Sequence, residues 1–137
     1  MGRVTVQVEL RNYVDAILAE QGQLSPDKVR KITLAGVVDT GATQLVIPGR
    51  VADDLGFAKA GEASVRFADN RRENRTVVRD VEVRILDRKA TFNAVVEPNR
   101  EDALIGAVVL EVLDFIVDCG GQKLVPRDPH RIVAEIE

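Results

Sequence analysis

Hydrophobic and polar positions change their period several times along this chain, and each change marks an element. Residues 3–10 alternate strictly, with Val4, Val6, Val8 and Leu10 on one face, which predicts a half-buried strand. Asn12 is placed to cap a short helix over 13–20, with Tyr13, Val14, Ile17 and Leu18 on one side. A polar loop at 21–27 precedes a strand over 29–38, expected to become fully buried as it nears Asp39. Residues 45–47 read as a short buried strand; Pro48 starts a helix over 49–55, which Gly56 stops. Strand character at 63–68, a polar connection at 69–75 and a long strand at 76–86 together predict an extended β-hairpin with an exposed tip. A strand at 90–96, a loop at 97–102, a short strand at 103–105, a helix at 108–113 and two last strands, 115–118 and 123–125, complete the pattern. Strands dominate, so the expected fold is mainly β with one or two short helices.

The organising stretch runs from Leu34 to Thr43, where an apolar strand delivers a single carboxylate, Asp39, into a turn of small residues, Thr40-Gly41-Ala42. A charge at the end of a core strand is costly unless it is partnered. Asp and Gly are also ordinary turn formers, so this stretch alone leaves both a plain turn and a deliberately placed acid open. A second apolar strand ending in glycine, Leu104-Ile105-Gly106, echoes it. Each of the two leads to a helix that stops before a phenylalanine, Phe57 and Phe115. Glycine at such points lets backbone segments approach closely.

Length and composition fit one domain, 1–137, with a core at about 29–126 and a polar tail at 127–137. The net charge of −3 and the sparse aromatics argue against nucleic acid as a partner. No apolar run approaches the length of a membrane span, so no membrane partner is expected. The single cysteine, Cys119, is expected as a turn residue or buried filler and fits a reducing, cytoplasmic setting. Asp118 is expected as a turn residue. The neighbouring acids Asp53-Asp54 and Glu101-Asp102 lack metal-ligand spacing, so neither a metal nor another cofactor is expected.

Asp39-Thr40-Gly41-Ala42 after an apolar strand, followed later by Leu104-Ile105-Gly106, resembles the retroviral-type (retropepsin-like) aspartic proteases, and within them the small single-domain bacterial members. The resemblance covers roughly residues 29–126. It implies a closed acid-protease barrel that carries half an active site per chain, completed when two chains pair so that both copies of Asp39 face one another. It also implies roles. Asp39 is catalytic, Thr40 interlocks the two loops, and Gly41 and Ala42 shape the turn. Leu104, Ile105 and Gly106 brace it from behind. A hairpin, here 67–78, closes over the cleft as a flap, which makes Thr43, Ala68, Asp69 and Asn70 the candidates for substrate contact.

The chemistry accounts for the pairing. Peptide hydrolysis without a metal or covalent nucleophile needs a base to activate water and an acid to polarise the carbonyl. Two close carboxylates that share one proton supply both. Only one Asp-Thr-Gly occurs here, so a homodimer acting on a peptide or protein substrate follows. The chain departs from the viral pattern in three places. Its flap has no glycine and carries Arg71, Arg72 and Arg75, with Arg66 and Arg79 flanking it. Thr43 and Gln44 stand where the viral enzymes have substrate-gripping acids, and Ala107 stands where they have arginine. A catalytically weak or inactive peptide-binding or protein-binding module on the same dimeric fold is the alternative reading.

Overall fold

Strand β1 (Val4–Asn12) buries Val4, Val8 and Leu10, packs Val6 against the same core, and turns Thr5, Gln7 and Glu9 to the other face, as its alternation requires. The coordinates form a computed structural model that describes residues 3–130, 134 and 136, so parts of the expected 127–137 tail lie outside the described residues. Chain order continues through α1 (Tyr13–Glu20), a 3-10 turn (Pro26–Lys28), β2 (Lys31–Val38), β3 (Leu45–Pro48) and α2 (Gly49–Leu55). The hairpin follows as β4 (Lys59–Arg66) and β5 (Arg72–Ile85), then β6 (Arg88–Glu97), β7 (Ala103–Ile105), α3 (Ala107–Leu113), β8 (Phe115–Asp118) and β9 (Lys123–Pro126).

The sheet order β1-β2-β7-β3-β6-β5 closes on itself because β5 also pairs with β1, giving a six-stranded barrel. The fold is mainly β. Closure depends on β5, whose 14 residues serve two partnerships. Its first half pairs with β4, which stands outside the ring, and its second half pairs with β1 through Val81, Glu82, Val83 and Arg84. Between the halves the register with β6 shifts at Val78/Val81, where Asp80 takes φ 58°. Such a bulge bends the strand and lets one length of backbone leave the hairpin and turn into the barrel. Val8, Ile47, Val81, Val83, Ile105 and Val109 are fully buried at the centre. Among the described residues no helix is long and apolar enough to cross a membrane.

Several expectations are corrected. The three α-helices stand at the three helical segments the pattern predicts, one more than the one or two given for the fold as a whole. Strand β2 begins at Lys31 rather than residue 29, because Val29 caps the 3-10 turn. Its first part is buried on one face only, with Thr33 and Ala35 exposed on the outer side of the barrel, while the consecutive residues Gly36 and Val37 are both buried as the strand nears Asp39. Residues 72–75 are paired strand and not part of the connection, so the hairpin tip shortens to Phe67–Arg71, closed by Phe67 N–H donating to Arg71 O. Cys119 is exposed and so is not filler.

Helix α1 also differs from its apolar pattern. Val14 is exposed, while Asp15 and Ala16 are buried. Asn12 caps the helix as expected, its Oδ1 accepting from Asp15 N–H, and its Nδ2 donates to Leu55 O at the end of α2. The reason Asp15 is tolerated inside is Arg30. That residue's backbone N–H and Nε donate to Oδ2 at 3.0 and 2.8 Å, and its second terminal nitrogen donates to Oδ1 at 3.0 Å.

The guanidinium of Arg30 holds the Asp15 carboxyl below its ordinary value of 3.8, against the opposing effect of burial. A lowered carboxyl adds stability that is complete above the ordinary value and is lost as pH falls through the lowered one. Asp15→Asn should therefore cost roughly 1–3 kcal/mol in urea unfolding at pH 7. That difference from wild type should shrink once the pH drops below 3.8.

Candidate active site

Asp39 follows directly on β2, and its position is set by a neighbour far along the chain. β2 runs parallel to β7 with Val37 opposite Leu104 and Val38 opposite Ile105, and Asp39 N–H continues that ladder to Ile105 O at 3.0 Å. The chain then folds around its own carboxylate: Gly41 N–H donates to Asp39 Oδ1 at 2.9 Å and Ala42 N–H to Asp39 O at 3.1 Å. One carboxylate oxygen is thereby committed to the turn while the side chain stays exposed.

The loop is held from behind by α3. A helix starts with N–H groups that have no partner inside it. Here Ala107 N–H donates to Ala42 O at 2.8 Å and Val108 N–H to Thr43 O at 3.0 Å, so the loop's carbonyls cap the helix. Gly106 makes this approach possible. A Cβ on it would lie 2.5 Å from Gln44 O and 2.8 Å from the Thr43 carbonyl, closer than any side chain tolerates. The other end of α3 is clamped by Arg88, which is 2% exposed and donates to Leu113 O at 3.1 Å, Asp114 O at 2.7 Å and Asp128 O at 2.7 Å. Its guanidinium also lies over the Phe115 ring, 5.4 Å from the centroid. Arg127 and, less strongly, Arg88 keep the Asp114 carboxyl low.

Two cavities of about 560 Å³ each flank Asp39, and both are bordered by Leu104 and Arg100. One is roofed by the β4–β5 hairpin and includes Thr43 and Ala68 in its wall. Asp69 and Asn70 sit in the hairpin tip and do not line it; the Asp69 carboxylate caps Arg71 N–H, and Asn70 takes φ 71°. The other cavity is bordered by Thr40, Val117 and the turn after β8, where Cys119 sits and Asp118 accepts from Gly121 N–H. Among the described residues Thr40 makes no side-chain hydrogen bond, and no group of His, Cys, Asp and Glu could hold a metal ion.

The hairpin that roofs the cleft is stiffened by arginine. The Phe67 ring lies under both Arg71 and Arg75, 4.8 and 5.5 Å from its centroid. Arg75 in turn reaches Glu97 Oε2 at 3.0 Å and Glu73 at 3.4 Å. Glu97 is the last residue of β6, so this ion pair ties the hairpin to the barrel where the two separate.

A family model described as "gag-polyprotein putative aspartyl protease" matches residues 28–112, which include the Asp39 loop, the hairpin and Leu104-Ile105-Gly106. The chain belongs to this retroviral-type aspartic protease family. Among solved structures, that of the foamy viral protease-reverse transcriptase in complex with RNA/DNA hybrid superposes with a TM-score of 0.53 at 18% identity. The match covers 79% of this chain but only 11% of that one, and at this identity it supports the fold alone. No curated protein matches.

Neither Glu97 nor Arg100 stood out in the polar run 97–102. One signal was available: this loop enters β7, the strand paired beside Asp39, so its end must lie at the site. For the brace, Gly106 has φ −86°, a conformation open to any residue, so the collision alone makes glycine necessary. Gly106→Val should lower stability by roughly 1–3 kcal/mol, the usual cost of overpacking, read as a lower urea midpoint.

Proposed function

We propose that this chain is an aspartic endopeptidase that works as a homodimer, with the Asp39 carboxylates of two copies activating one water between them. The observation that carries the reading is an exposed carboxylate on a loop locked by backbone bonds to β7 and α3, facing a cleft under a hairpin. Membership of the aspartic protease family supports it. A single such carboxylate per chain cannot be both base and acid in one step. Two of them in close contact cannot both ionise, so one holds the proton while the other accepts from water. Thr40, exposed and without a side-chain partner among the described residues, is free to bond across a two-fold axis.

The second reading, a peptide-binding module without activity, is favoured by one feature. The flap stretch 67–78 has no glycine and is tied to the barrel by Arg75–Glu97, which opposes the opening a lid needs.

Cleavage of a broad peptide library between acidic and neutral pH separates the two. The peptidase reading expects activity that is highest on the acidic side. Asp39→Asn should lower kcat/KM at least about 100-fold while sedimentation still reports a dimer. A dimer that cleaves nothing beyond this variant leaves only the binding module, and a strictly monomeric protein removes both dimeric readings.

A further inference from the structure

Arg100 occupies a distinctive place beside Asp39. Along with Asp39 and Leu104, it is one of three residues that border both cavities. Its side chain is 24% exposed and held in one orientation by its own loop: Nε donates to Asp102 O at 2.9 Å, and a terminal nitrogen meets Asp102 Oδ1 at 2.8 Å. Arg100 N–H donates to Glu97 O, and Arg50 donates to Glu101 O, so the loop is anchored at two further points. A guanidinium has five N–H donors. The other terminal nitrogen of Arg100 has no partner among the described residues.

Asp102 pairs with Arg100, yet the residues that border the two cavities carry more positive than negative charge. Three arginines, Arg3, Arg66 and Arg100, border the two cavities, against two carboxylates, Asp39 and Glu97. Glu97 is already paired with Arg75 at 3.0 Å. Arg66, on the hairpin side, is exposed and in no ion pair among the described residues. This local excess of positive charge sits in a chain whose net charge is −3.

We propose that Arg100, assisted by Arg66, makes the cleft select peptides that carry an acidic side chain next to the bond lying over Asp39. The proposal rests on the peptide-cleft reading above but not on turnover. A fixed planar guanidinium with an uncommitted edge suits a carboxylate, and its orientation by Asp102 reduces the ordering that binding would otherwise require. It also offsets the repulsion that a substrate carboxylate would meet from Asp39.

The test uses matched peptides that differ only by Glu or Gln at one position, scanned through the sequence. Their binding to the dimeric Asp39→Asn protein is read by fluorescence anisotropy, so binding is measured apart from cleavage. At pH 6 the best Glu peptide should bind about tenfold more tightly than its Gln partner. The ratio should approach one below about pH 4, as the peptide's own carboxyl takes up a proton. The Gln peptide measured at each pH corrects for any change in the protein itself. Arg100→Gln should bring the ratio close to one, Arg100→Lys should retain part of it, and Arg100→Glu should turn the preference toward Lys peptides. Equal binding of the Glu and Gln peptides at pH 6, binding of neither, or a preference that survives Arg100→Gln combined with Arg66→Gln overturns the proposal. A Glu preference in a wild-type protein that cleaves nothing sinks the peptidase reading and leaves this inference standing.

Discussion

Three backbone hydrogen bonds, from Asp39 N–H to Ile105 O, Ala107 N–H to Ala42 O and Val108 N–H to Thr43 O, hold the structure's purpose together. They join a loop after the second strand to a strand and helix more than sixty residues away, and they do so beside Gly106, where a Cβ would collide with the loop. The barrel supplies what these bonds need. Closing β5 onto β1 fixes β2, β2 fixes β7 by parallel pairing, and β7 delivers Gly106 and α3 to the back of the loop. An exposed acid on a free turn would sample many positions. Here its backbone is bonded on both sides and one carboxylate oxygen is held by Gly41 N–H, so its position is set by the loop.

Much of this was legible because it is periodic or steric. The alternation of Val4 to Leu10, the Pro48-to-Gly56 limits of α2 and the apolar-glycine pair of segments each reflect a local requirement. Gly56 ends its helix at φ 65°, as expected of glycine at that position. What escaped the reading was polar and distant. Asp15 is buried because Arg30 meets it, Glu82 because Arg11 meets it at 2.8 Å, and Arg88 because carbonyls of α3 and the tail converge on it. No local pattern announces a partner so many residues away. The same blindness hid Arg100 in a run of polar residues that a sequence reading treats as loop.

The hairpin illustrates how one function can be supported by different chemistry. A glycine-rich tip gains mobility from backbone freedom, whereas this one has none and is ordered by Phe67 packed under two guanidinium groups. The same arginine that packs on Phe67 also reaches Glu97, so tip order and attachment to the barrel are linked through a single side chain. Order in the tip is thereby coupled to the point where β5 leaves β6 at Val77.

This linkage also limits how firmly the roof is held. The pair Arg75–Glu97 is only partly buried, with side-chain exposures of 16% and 21%, so water moderates its strength. The Arg75 guanidinium also rests on the Phe67 ring, so the hairpin keeps a second tether when the ion pair separates. A roof held by one screened ion pair and one cation–π contact is lifted at modest cost, which reconciles a glycine-free tip with a cavity of about 560 Å³ beneath it.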